Sequence, residues 1–162
     1  MPMRRLFAAA MLAVAAASLG PAAADPKISP PKGYRLWFHV NSRIVDQSSP
    51  QFSTLGGLHN VYLSPGGLAM LRNDRPYPDG TSFVDDVHEF KVVDGTYIEG
   101  ERKALAVMVR NARKYAATGG WGFQAWAKGD PTQPLVTDAA KQCFGCHTER
   151  RDHQYVFSTY IP

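Results

Sequence analysis

The chain has only two cysteines, Cys143 and Cys146, and His147 follows the second directly. Two thiols one helical turn apart with an imidazole behind them demand a helical turn at that point and a group for the three side chains to hold. Cys-x-x-Cys-His is the attachment signature of a c-type haem: each thiol adds across a vinyl group of one porphyrin, and the histidine offers a ring nitrogen to the iron. Two other readings use the same residues. A redox thiol pair would follow a strand and open a helix within a larger βαβ fold, yet only 15 residues follow His147. A zinc site made of Cys143, Cys146, His147 and His153 would lack the longer loop that usually separates structural ligand pairs.

The start of the sequence agrees with the haem reading, because covalent attachment of this kind takes place outside the cytoplasm. Arg4 and Arg5 precede an apolar run from Leu6 to Leu19, and Ala22-Ala23-Ala24 forms an A-x-A cleavage site. Residues 1–24 are therefore expected to be a signal peptide and residues 25–162 a single exported domain, with a periplasmic location. Losing Arg4 and Arg5 from 18 basic against 14 acidic residues leaves a net charge of +2, too weak to argue for nucleic acid. No later segment approaches the roughly 20 apolar residues of a membrane span.

Apolar spacing sets the expected elements. Tyr34, Trp37, Phe38 and Ile44 fall near helical spacing and predict a short amphipathic helix, and Asp46 to Gly57 predicts a loop. His59 to Leu63 is β-rich; Ser64-Pro65 then opens a helix to about Arg72. Strands are expected over Thr81 to Val93, Ala104 to Val109 and Trp121 to Ala127, with turns at Pro78-Asp79-Gly80 and Asp94-Gly95. A short helix near Val136 to Gln142 leads into the motif. The connections are too short for βαβ crossovers, so the fold class is α+β: a mainly antiparallel sheet with short flanking helices, one domain, and the haem attached near the C-terminus.

No Met follows His147, so a second axial ligand would have to come from upstream or from His153. The formal candidates are Met70, Met108, His39, His59, His88 and His153. Each has an ordinary explanation as core filler or hydrogen-bonded polar residue, which points to a five-coordinate iron with an open distal face. Trp121, Phe123 and Phe157 read as core or haem-packing aromatics, and Asp85-Asp86 with Glu89 as a solvated edge.

Several short motifs, in order, resemble the cytochrome P-460 family, which includes the cytochromes c′-beta. They are Tyr34-Arg35-Leu36-Trp37, His59-Asn60-Val61-Tyr62, Tyr77-Pro78-Asp79-Gly80-Thr81, Val107-Met108-Val109-Arg110, Gly119-Gly120-Trp121-Gly122-Phe123, the late Cys-x-x-Cys-His and Tyr155-Val156-Phe157. The resemblance implies a mainly antiparallel domain, a homodimer, and one covalent haem c held by Cys143 and Cys146 with His147 on the iron. Family members with a lysine bonded to the porphyrin oxidise hydroxylamine, and members without it bind nitric oxide. The segment where that lysine belongs, Ser64 to Pro78, has no Lys, and Arg72 or Asn73 stands in its place. A guanidinium that stays protonated is a poor nucleophile for such a bond.

The expected function is thus a haem protein for nitric oxide or a related small nitrogen species. Oxidation of hydroxylamine or nitric oxide is the alternative, and electron transfer to a periplasmic partner the third reading. Arg72 at the haem edge, with Phe52 and His59 on the distal side, are the further candidate site residues. An apolar distal wall would favour neutral diatomics, and a distal His or Arg donor would favour polar ligands and proton-coupled chemistry.

Overall fold

The computed structural model describes residues 24, 25 and 27–161, and the expected signal peptide lies outside them except for Ala24. Five strands form one antiparallel sheet in chain order: β1 (Phe38–Val45), β2 (Gly57–Leu63), β3 (Ser82–Val93), β4 (Thr96–Arg110) and β5 (Trp121–Ala127). Between β1 and β2 lies a single helical turn, α1 (Phe52–Leu55). Between β2 and β3 a 3-10 turn (Pro65–Gly67) runs into α2 (Leu68–Asn73). After β5 a π-helical turn (Ala140–Phe144), one α turn (α3, Gly145–His147) and a 3-10 helix (Thr148–His153) follow without a break. This is the expected α+β domain, and among the described residues no helix is long and apolar enough to cross a membrane.

Directly paired residues of an antiparallel ladder point to the same face, so the register sorts the side chains into two layers. On the front face one row is Phe38, Leu63, Phe83, Met108 and Phe123. It packs with Leu71, Tyr77, Trp121, Val136 and Val156 into the larger core, which the C-terminal segment covers. The back face is closed by the chain before β1, where Ile28 and Tyr34 pack on Val84, Leu105, Val107 and Trp126.

Several boundaries differ from the sequence expectation. The predicted helix over Tyr34 to Ile44 is a 3-10 turn (Tyr34–Leu36) followed by β1. Tyr34 and Trp37 cap the back face before the strand begins, so their helical spacing records a turn joined to a strand. The expected loop holds α1, and β4 starts at Thr96 because it pairs with the far end of β3 as a long two-stranded ribbon. The helix expected over Val136 to Gln142 starts at Ala140 and includes the cysteines.

Candidate functional site

Cys143 lies in the π-helical turn and Cys146 one turn later in α3. Wide helical turns of this type occur often at functional sites. Both thiols are free, Cys146 on the surface and Cys143 half-buried against the front-face core. Burial, with the neighbouring Cys146, pushes the Cys143 thiol up to about 11. A redox-active pair needs the opposite shift, so the thioredoxin-like reading finds no support here. Among the described residues no group of three or more His, Cys, Asp or Glu is arranged to hold a metal ion, which leaves the zinc reading without a ligand set.

His147 stands between aromatic rings, 4.9 Å from Phe123 below and 5.1 Å from Phe157. Its Nδ1 donates to the Tyr155 carbonyl at 2.6 Å. That bond fixes the tautomer and leaves Nε2 as the basic nitrogen, the arrangement an axial ligand requires. Burial lowers the imidazole pKa, the Tyr155 bond opposes it, and the nearby Arg43 charge lowers it further.

The acceptor loop is held in a strained form. Gln154 and Tyr155 both take left-handed backbone angles, φ 56° and 66°, which are unfavourable for residues with a Cβ. The Gln154 side chain accepts from the Tyr77 amide at 3.0 Å and donates to the Arg75 carbonyl at 2.8 Å, and the Gln154 backbone carbonyl accepts from Trp121 Nε1 at 2.9 Å. Gly119, at φ 63°, lies against the Tyr155 ring where a Cβ would collide.

Beside this row the front face carries two further ladders. Asn41, Val61, Asp85, Ala106 and Ala125 form one; Arg43, His59, Val87, Ala104 and Ala127 form the next. The four alanines are only partly buried, whereas their back-face neighbours Leu105, Val107 and Trp126 are buried. Small, half-open side chains on β4 and the edge strand β5 thus leave this part of the front face low and apolar. At the β1 end the wall is polar: Arg43 Nη2 donates to Asp85 at 2.9 Å, and His59 Nδ1 lies 2.9 Å from the same oxygen. His59 is 2% exposed, and its Nε2–H donates to the Leu55 carbonyl at 2.7 Å. Both its ring nitrogens are engaged, which fastens α1 to Asp85.

The other expected residues are dispersed. Phe52 sits half-buried at the start of α1. Arg72 is exposed on α2 with its guanidinium 4.8 Å above the Tyr160 ring, which in turn stacks on Phe38. Met108 is in the core, Met70 packs against it, His39 leans on Tyr62, and His153 faces Asp74 and Asp152. His88 is buried on the back face beside Asp86.

The acidic pair Asp85-Asp86 is not a solvated edge: Asp86 is 1% exposed and bonded to Tyr34 (2.6 Å), Arg35 (2.8 Å) and Arg102 (2.6 Å). Arg43 and Asp85 were not among the expected site residues. Their signal was an Arg in a strand opposite a His, visible only once the ladder register is known.

The fold is a small antiparallel α+β domain whose C-terminal Cys-x-x-Cys-His helix packs on the front of its sheet. The chain belongs to the cytochrome P460 family, whose model matches residues 31–158. It is thus a haem-binding cytochrome. Comparison with curated proteins finds none that matches.

Proposed function

We propose that the protein is an exported c-type cytochrome with a single haem and an open iron face for nitric oxide or a related small nitrogen species. Cys143 and Cys146 hold the haem through thioethers, and His147 Nε2 ligates the iron. The observation that supports this reading is His147 itself: its Nδ1 is tied to the Tyr155 carbonyl, which leaves Nε2 as the basic ring nitrogen of a side chain set between Phe123 and Phe157 one residue after Cys146. Haem bound there supplies a redox-active iron with one free coordination position.

One observation favours the enzymatic reading as well. His59 Nε2–H donates to the Leu55 carbonyl, and its Nδ1 meets both the Asp85 carboxylate at 2.9 Å and the Arg43 guanidinium at 3.2 Å, so an imidazole and a cation share one carboxylate. Asp85 is the more solvent-accessible member of the His59–Asp85 pair. It can take a proton from a protic ligand while Arg43 holds the carboxylate and His59 shares the charge, the conditions for proton-coupled oxidation of hydroxylamine. Arg72 and Phe52 are assigned to the haem edge and the distal side. A homodimer and a periplasmic electron-transfer partner complete the proposal.

The test is an absorption spectrum of the haem-loaded protein, ferric and ferrous, with and without nitric oxide, together with denaturing mass spectrometry. A high-spin spectrum that shifts with nitric oxide, on a chain carrying one haem and lacking residues 1–24, supports the reading. A sharp low-spin spectrum indifferent to nitric oxide would make the protein an electron carrier.

A further inference from the structure

Strand β1 does not alternate regularly. Its pairing with β2 runs Phe38 with Leu63 and His39 with Tyr62, then resumes at Asn41 with Val61, so Val40 is an extra residue in a β-bulge. A regular strand starting at Phe38 would send Asn41 and Arg43 to the back face with His39. The bulge reverses the phase, and Asn41 and Arg43 join Val61 and His59 on the front face, while Ser42 is left to bond Asn60 at 2.6 Å behind. Bulges next to functional sites commonly serve to re-aim a side chain in this way.

The side chain that the bulge re-aims is chemically incomplete. Asn41 Oδ1 is buried and has no hydrogen-bond partner among the described residues. The other buried side-chain atoms in that condition, Thr81 Oγ1, Arg110 Nε and Arg150 Nε, lie outside the two polar ladders. A buried amide oxygen without a donor is disfavoured, and natural structures keep such groups where a ligand or water completes them. Asn41 shares its ladder with Asp85 and with Ala106 and Ala125, beside Arg43. The ladder therefore sets a buried, unpaired acceptor next to the Arg43–Asp85 pair.

We propose that Asn41 is a specificity residue of the haem pocket: its Oδ1 accepts a hydrogen bond from an N–H or O–H of the bound ligand, so the pocket favours protic nitrogen ligands of the hydroxylamine class over nitric oxide, which has no hydrogen to donate. This rests on the haem reading above. A site whose acceptor is left unpaired by the wrong ligand discriminates far more strongly than an apolar pocket does.

The experiment is a spectral titration of the ferric, haem-loaded protein with hydroxylamine and, separately, with nitric oxide, for the parent chain, Asn41→Leu and Asn41→Asp. Asn41→Leu keeps the shape and removes the acceptor; Asn41→Asp keeps an acceptor. Loss of one such bond weakens hydroxylamine binding about tenfold in the Leu variant, with nitric oxide within about twofold and the Asp variant near the parent. Asn41→Val, which suits a strand, replaces the Leu variant should that one fail to fold. Unchanged affinities, equal losses for both ligands, or a loss confined to nitric oxide would each overturn the assignment. A parent protein that binds neither ligand would instead bring down the haem-site reading, and the inference with it.

Discussion

His147 Nδ1 and the Tyr155 carbonyl oxygen lie 2.6 Å apart, with seven residues between them and two consecutive left-handed residues at the far end. Backbone, not a side chain, orients the proposed iron ligand. Its position depends on whatever holds Gln154 and Tyr155 in that conformation, and the Gln154 amide group does so by bonding Tyr77 on one side and Arg75 on the other.

Gln154→Ala removes both of those side-chain bonds and leaves a strained pair without its brace. The variant is expected to lose about 1–3 kcal/mol of stability, seen as a fall in Tm of several degrees. Its haem should also show a shifted reduction potential, because the proximal imidazole loses its fixed acceptor. Potentiometric titration beside thermal unfolding checks both, and a lower Tm with an unmoved potential would confine Gln154 to a structural part.

Cys143→Ser and Cys146→Ser should each leave one thioether, so haem stays with the chain through denaturation in either single variant and is lost in the double. Lys103 reaches the residue after α1, where its Nζ donates to the Gly56 carbonyl at 2.7 Å. Denaturing mass spectrometry with peptide mapping should place every covalent link on the cysteines and none on Lys103.

Asp85→Asn keeps the shape of the polar wall and removes its proton acceptor. If the protein oxidises hydroxylamine, turnover should fall by about 10²–10⁴-fold while nitric oxide affinity stays within a few-fold. Steady-state rates with an artificial electron acceptor and a nitric oxide titration separate the two effects.

Asp86 ties acid stability to the back face. Burial alone would raise its pKa, but hydrogen bonds from Arg102, Tyr34 and Arg35 outweigh it and hold the carboxyl down at about 2, against 3.8 unperturbed. A carboxyl with a depressed folded-state pKa contributes stability that is complete above the unfolded value and is lost as pH falls through the folded one. About 2 kcal/mol of unfolding free energy should therefore disappear between roughly pH 4 and pH 2. Denaturant titrations across that window should show the slope, and Asp86→Asn should flatten it.

The sequence made the motif legible because Cys-x-x-Cys-His is local: its meaning depends on spacing along one helix. The strands around His59, Phe83 and Trp121 were legible for the same reason, since β-rich runs bounded by Pro and Gly turns need no distant partner. The Arg43–Asp85–His59 wall was not, because it is assembled across three strands and its register depends on a bulge that no periodicity announces. The same bulge, joined to the 3-10 turn at Tyr34, is what mimicked a helix. Asp85 and Asp86 looked alike in sequence, and only the pleat separates them.

That separation has a further consequence for folding. Adjacent carboxylates on β3 serve opposite sides of the sheet, Asp85 facing Arg43 and His59 in front, Asp86 facing Tyr34, Arg35 and Arg102 behind. A slip of β3 by one residue in either direction would carry one carboxylate into its neighbour's place and drag Val84 or Val87 into the other, leaving cations unmatched on one side. The doublet thus works as a two-sided key: the strand reads as correctly aligned only when both locks are filled at once, and the pocket chemistry doubles as a check on how the sheet was put together.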